Sequence, residues 1–408
     1  MTAGAQTLAD SFPDEGNPPP HVPLWLLALF TFSGTLAMHI FVPALAMAGR
    51  DLNAGNGAMQ MTVSLYIIGL AVGQLIYGPL SDRYGRRRVL MVGLAIYTVA
   101  GLAAALAPQV YALIAARLFQ ALGGCAGLVL GRAMVRDTAA PSEAAKRLAL
   151  MNLMVTVAPG IAPIVGGALA ATLGWRAVLF VLCVLGVVNF MFAWRLLPET
   201  GATAARITAA TLARHYRQLL ASRQFLGYAV GGGCATTSMF AFVASAPFIF
   251  VNQLHRPADE VGLYLAVLVS GVWLGSVLTT RLIGKVPLDR LLVGGNLFSA
   301  AAAVVLLALV LSGHATVAPI IVSMFFYTLG AGVAGPTALT LAVSVNPTVI
   351  GSASGLYGAV QMAVGALCTA LAGLGGSPAL STALVLSGAG VLGQLSFWAA
   401  SRGRGAAD

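Results

Sequence analysis

Charge is what this chain has least of. Only 8% of its residues are Asp, Glu, Lys or Arg, whereas a soluble domain carries about 25%. With 59% of its residues hydrophobic, the chain cannot cover a water-facing surface, and composition alone makes it an integral membrane protein. Acids are scarcer still. Asp10, Asp14, Glu15, Asp51, Asp82, Asp137, Glu143, Glu199, Asp259, Glu260, Asp289 and Asp408 are all there are, and none falls in the middle of an apolar run. Cys125, Cys183, Cys234 and Cys368 stand singly in apolar stretches, a spacing unsuited to a disulfide or metal framework and suited to small packing residues. A phosphate-cradling loop, a metal-spaced His/Cys group, paired catalytic carboxylates and a nucleophile elbow are all missing. That speaks against an enzyme, against a metal or other cofactor, and against transport driven by ATP. The net charge of +10 is no nucleic-acid signature, because the arginines sit at the ends of apolar runs and form no stripe interleaved with aromatics.

What is abundant is apolar length. A spanning helix needs about 20 apolar residues, and twelve such runs can be drawn: 24–47, 59–80, 89–107, 111–131, 148–171, 176–197, 225–250, 261–284, 287–312, 316–341, 350–373 and 378–400. The expectation is an all-α membrane protein of 12 transmembrane helices. Its longest polar connection between runs, 198–223, carries Arg206, Arg214, His215 and Arg217. This stretch reads as a cytoplasmic linker between two six-helix halves, 24–197 and 224–400. Residues 1–23 hold Pro, Gly and acids without the basic start of a signal peptide, and read as a loose cytoplasmic tail; 401–408 reads as a second.

Counting Lys and Arg orients the spans. One side collects Arg83, Arg86, Arg87, Arg88, Arg132, Arg136, Lys146, Arg147, Arg195, Arg206, Arg214, Arg217, Arg223, Arg281, Lys285, Arg290, Arg402 and Arg404, and the other only Arg50, Arg176 and Arg256. Both termini are therefore expected in the cytoplasm. The 48 glycines suit helices that approach closely where lipid offers no hydrophobic drive between them.

Two ionisable side chains remain inside spans, His39 and Arg117. At about 1.5 Å rise per residue both lie roughly 10–12 Å below the outer surface. Groups at that depth mark a function by default, and a histidine is the one whose charge changes near neutral pH. His39 is the candidate for proton coupling or substrate contact, with Arg117 and Gln120 beside it. A neutral histidine on a backbone carbonyl and an arginine clamping helix-end carbonyls are the plainer alternatives. Tyr66, Gln74, Phe240, Tyr357 and Gln361 are candidate cavity groups that also suit helix packing.

The densest motif is the turn Gly78-Pro79-Leu80-Ser81-Asp82-Arg83-Tyr84-Gly85-Arg86-Arg87-Arg88, between two apolar runs. It resembles the loop signature of the major facilitator superfamily, through Gly78, Leu80, Asp82, Arg83, Gly85, Arg86 and Arg87. Arg117-Leu118-Phe119-Gln120-Ala121-Leu122-Gly123-Gly124 resembles the fourth-helix motif, in which the arginine is associated with proton transfer; Ala121 stands where Gly is usual. Pro159, Gly160, Pro163, Gly166 and Gly167 resemble the antiporter motif of the fifth helix, which favours export. Val42–Leu45, Gly131–Asp137, Gly174–Arg176, Ser245–Phe248 and Gly351–Gly355 are similar to the bicyclomycin/chloramphenicol-resistance drug:proton antiporters.

The resemblance implies a proton-coupled exporter of small drug-like molecules in a bacterial inner membrane, with substrate, protons and lipid as its partners. One chain holds both halves of such a pathway, so a monomer is expected. Many members carry Asp-x-Tyr-Leu-Pro-Ala in the first helix, where this chain has His39-Ile40-Phe41-Val42-Pro43-Ala44. Without that carboxylate a cationic drug would meet no counter-ion, so neutral or anionic substrates are expected. At the cytoplasmic face, Asp82 is expected to meet Arg132 or Arg136, and Asp137 to meet Arg83 or Arg86, as latches that break in one state. A carrier of one metabolite, such as an organic anion, sugar or nucleoside, is the alternative on the same fold. A sensor without transport would need a soluble domain that the short loops do not provide.

Overall fold

The computed structural model describes residues 22–139, 141–200, 209–346 and 349–404. The expected tails at 1–21 and 405–408 and the middle of the linker at 201–208 lie outside the described residues. The chain is helical almost throughout, and each of the twelve apolar runs lies on one helical segment. The first run is α1 (Leu24–His39), a 3₁₀ turn Val42–Ala44, and α2 (Leu45–Asp51). Next come α3 (Asn56–Tyr84), α4 (Arg86–Ala105), α5 (Val110–Thr138), α6 (Pro141–Leu173) and α7 (Trp175–Leu196). An amphipathic helix, α8 (Ala209–Ala221), occupies the connection. The remaining chain forms α9 (Arg223–Thr236), α10 (Met239–Pro247) with a π turn Phe248–Gln253, α11 (Ala258–Leu282), α12 (Leu288–Leu311), α13 (Val317–Ser344), α14 (Ile350–Gly373) and α15 (Pro378–Arg404). Among the described residues, eleven helical segments are long and apolar enough to cross a membrane; the apolar part of α6, Ala158–Leu173, is shorter.

Local chemistry accounts for the interruptions. Pro43 has no N–H to give a helix and disfavours helical backbone at Val42, so α1 stops at His39 and resumes as α2. Gly85 ends α3 and opens α4 at φ +94°, a conformation open to glycine and strained for other residues. In α6, Pro159 and Pro163 lie inside the helix, and Pro163 leaves the carbonyl of Pro159 without its helical donor.

Before the connection, α5 packs against α1, α3 and α4; after it, α13 packs against α9, α11 and α12. Small residues allow both. A Cβ on Gly34 of α1 would lie 2.7 Å from the Gly124 carbonyl oxygen of α5, and one on Gly330 of α13 would lie 2.6 Å from the Gly295 oxygen of α12. The two groups meet along α3–α14 and α6–α11. Large apolar side chains such as Val99, Val184, Trp194, Leu263, Leu311 and Trp398 point outward and are more than half exposed, as a lipid-facing belt requires and a water-facing surface would not tolerate in such number.

Candidate functional site

The break in α1 organises the buried polar groups. A helix ends with carbonyls that lack intrahelical donors and with a partial negative charge. Arg117 of α5 is buried against this end and donates from Nη2 to the Ala37 carbonyl at 2.9 Å. Its Nη1 donates to Gln120 Oε1 at 2.7 Å. The guanidinium lies 4.2 Å from the Tyr66 ring centroid and 5.4 Å from that of Phe41. Tyr66 in turn donates to the Gly34 carbonyl at 2.9 Å. A buried cation without a carboxylate costs several kcal/mol in desolvation, and here a helix C-terminus, an amide oxygen and a π face offset that cost. The offset is partial: Arg117 Nε and Gln120 Nε2 are buried without partners.

His39 stands two residues beyond Ala37 but belongs to a different environment. Its Nδ1 meets the Thr35 carbonyl oxygen at 2.9 Å, and its ring packs edge-on to Phe240 with centroids 6.1 Å apart. It lines a space of about 20 Å³ with Pro159 and Pro163 of α6, Met239 and Val243 of α10, Leu265, Leu268, Val269 and Val272 of α11, and Thr328 of α13. That is room for about one water. Arg117 and His39 thus both serve the end of α1, and no hydrogen bond or ring contact joins them among the described residues. Phe240 joins His39, while Tyr66 and Gln120 join Arg117.

The proline–glycine stretch of α6 holds the two groups together around this point. A Cβ on Gly166 would collide with the carbonyl oxygen of Ile40, immediately after His39. Gly167 faces Pro43 and Asp259, Gly160 faces Val269 of α11, and a Cβ on Gly262 of α11 would lie 2.5 Å from the Pro163 carbonyl oxygen. Around His39 the space between the groups is closed. Towards the arginine-poor end Gln60 Nε2 donates to Ser245 Oγ at 3.0 Å, and Arg50 Nη2 to Asn252 Oδ1 at 3.0 Å, both across the divide.

The arginine-rich end is open. A cavity of about 310 Å³ lies between α3, α5, α8 and α14, lined in part by Gln74, Gly78, Asp82, Arg86, Arg132 and Arg136. Gln74 reaches across to Gly358, where a Cβ would strike its Oε1. The other polar candidates of the second group do not face this cavity. Gln361 Nε2 donates to Thr236 Oγ1 at 2.7 Å, tying α14 to the end of α9. Tyr357 is buried against Gly232 with its hydroxyl unpartnered.

In the basic turn one arginine holds both acids. Arg86 bonds Asp82 at 2.6 Å and Asp137 at 2.9 Å. The Asp137 pairing is one of the two expected. The Asp82 latch to Arg132 or Arg136 is not formed; the turn at Gly85 brings Arg86 back over Asp82, which pairs with it instead. Arg83 lies over the ring of Tyr84 instead, at 5.2 Å. Arg87 donates to the Trp194 carbonyl at 2.6 Å. Glu199 escaped the sequence reading: its Oε1 accepts from the Arg86 backbone N–H at 2.7 Å and caps α4. More than a hundred residues separate the partners, and no local pattern announces the cap. The Gly174–Arg176 stretch likewise ties α7 to α2, through Trp175 Nε1 donating to Asp51 at 3.0 Å and Arg176 pairing with the same carboxylate.

The profile of the family described as Major Facilitator Superfamily matches residues 27–369. The chain is 31% identical over 381 residues to multidrug resistance protein D of Escherichia coli (strain K12), covering 91% of each chain. It is 25% identical over 356 residues to a bicyclomycin resistance protein homolog of Haemophilus influenzae, covering 85% of this chain and 87% of that one. Among solved structures it is similar to a D-xylose-proton symporter, with a TM-score of 0.72 and 17% identity over 92% of this chain and 96% of the other, a likeness of fold alone.

Proposed function

The chain belongs to the Major Facilitator Superfamily, and from that premise we propose that it is a secondary active exporter of small drug-like molecules, working by proton antiport. It is a transporter and not an enzyme. The observation that carries the reading is the asymmetry of the divide between the helix groups. Contacts close it at His39 and at Gln60–Ser245, and a cavity opens it at the arginine-rich end. That is one half of an alternating-access cycle in which two helix groups rock about a site between them. Two relatives named for multidrug and bicyclomycin resistance support export of drugs.

In this reading the chain crosses the inner membrane twelve times with both termini inside, α1–α7 and α9–α15 are the rocking halves, and a monomer suffices. His39 is the proton carrier, since no carboxylate stands in the described spans near it. Arg117 holds the broken end of α1 in place. The Arg86–Asp137 and Arg86–Asp82 pairs hold α3, α4 and α5 in the present state and rearrange when the cavity closes.

Everted vesicles carrying the wild type or His39→Ala test the coupling through a pH-sensitive dye. Substrate-induced proton movement with a phenicol in the wild type, lost in His39→Ala, is the expected result. Movement that persists in the variant removes His39 from the proton path. None in the wild type with phenicol-type or cationic drugs removes the antiport reading.

A further inference from the structure

The cavity at the arginine-rich end carries charge that the export cycle leaves unused. Arg132 and Arg136 stand one helical turn apart on α5 and both line it. Like charges at this spacing repel, and neither arginine has an ion pair or hydrogen bond among the described residues. The nearby acids are committed elsewhere: Asp82 and Asp137 to Arg86, Glu143 to Arg147, and Glu199 to the first turn of α4.

Across the cavity the wall is the start of α14, with Gly351, Ser352, Ser354 and Gly355. The Val349 side chain gives this 24-residue helix no cap, and the helix N-terminus adds a partial positive charge to the arginines opposite. Tyr216 of α8 adds a phenol, and His215 lies 3.4 Å from Ser352 Oγ. The α3 side of the lining holds Gln74, Gly78 and Asp82, whose carboxylate is paired with Arg86, and Pro79, Val129, Ala133 and Leu212 give the cavity an apolar side. Two free guanidiniums facing a helix N-terminus, with an apolar side to the same space, make a receptor for an anion attached to an apolar body.

We propose that this cavity binds amphipathic anions (a carboxylate, sulfonate or phosphate ester on an apolar body), with Arg132 and Arg136 holding the charged group. The proposal rests on the export reading, for which it names the substrate class, but its test reads binding and needs no transport. The same charged group is carried by anionic lipid headgroups, which the test separates.

The probes are chloramphenicol and its hemisuccinate ester, which share one body and differ by a carboxylate. Titrated calorimetrically into the full chain in phosphatidylcholine nanodiscs, the succinate is expected to bind about tenfold tighter than the parent, the equivalent of one good charged contact. Arg132→Gln/Arg136→Gln is expected to bring that ratio to about one, and Arg132→Lys/Arg136→Lys to keep most of it. A general packing role would lower both affinities together and leave the ratio alone. A preference that survives in the glutamine variant, or a parent drug that binds wild type as tightly as the succinate, overturns the proposal. If neither drug binds, protection of Arg132 and Arg136 from phenylglyoxal by inorganic phosphate still reads the site: protection upholds anion binding although the drug reading has failed, and its absence overturns both. A preference abolished by adding phosphatidylglycerol to the discs assigns the site to lipid and overturns the substrate assignment.

Discussion

Helices α5 and α13 hold corresponding places, each wedged by glycines among three neighbours, but they bury different chemistry. On α5 the buried polar side chains are Arg117 and Gln120; on α13 they are Ser323, Thr328 and Thr337, with the phenol of Tyr327 among them. Tyr327 and Ser238 share a hydrogen bond of 2.6 Å, and the Tyr327 carbonyl accepts from Ser299 Oγ at 2.8 Å. Hydroxyls can donate and accept, so small numbers of them satisfy one another. A guanidinium only donates, and on α5 it finds too few acceptors, leaving Nε bare. The α5 network therefore keeps an unpaired buried donor on a charged group at the broken α1, and the α13 network does not. In the proposed cycle a proton has something to act on in the first group, where His39 also sits.

Three substitutions break or sharpen that contrast. The largest effect is expected at Arg117. Arg117→Ala strands the Ala37 carbonyl and Gln120 and leaves a cavity, costing about 2–4 kcal/mol of stability, with drug efflux falling to background. Arg117→Met keeps the stem volume and removes the buried charge, so it should cost less in thermal unfolding while abolishing efflux equally. Efflux retained by either variant would show that the unspent charge is only structural.

The turns at Gly85 and Gly284 compare the groups next. Both glycines have positive φ, +94° and +85°. A Cβ on Gly85 would lie 2.6 Å from Glu199 Oε2, whereas one on Gly284 would meet open space. Gly284→Ala should cost about 1 kcal/mol, from backbone strain alone. Gly85→Ala should cost about 1–2 kcal/mol more by displacing the Glu199 cap. Equal shifts in thermal unfolding would mean that Glu199 moves aside freely.

The smallest effect belongs to the neutral core. Tyr327→Phe removes one hydroxyl from a network that can re-pair, and should cost about 1 kcal/mol, with efflux close to wild type in resistance assays. A loss of efflux as complete as at Arg117 would erase the distinction between the groups.

The legible part of this protein lies where the cause is local. Apolar runs, the helix end at Gly85, the basic turn and the isolation of His39 and Arg117 could all be read along the chain, whereas the run 24–47 was drawn unbroken through Pro43. The same reading placed Asp82 opposite Arg132 or Arg136 and missed that Arg86, four residues on, would fold back over it. It left Gln361 and Tyr357 open between cavity and helix packing, and the structure packs both into the body of the second group.

Composition and spacing determined that the chain lives in lipid, how it is cut into spans, and which ionisable groups are buried, because the cost of desolvation acts on each segment separately. Which groups meet was decided only by the tertiary structure. Arg117 finds the Ala37 carbonyl through the glycine-lined approach of α5 to α1, His39 is turned towards α6 and α11, and Arg132 and Arg136 are left facing the start of α14. These are contacts between segments 80 to more than 200 residues apart, and their pairing depends on helix separations that no single stretch of sequence contains.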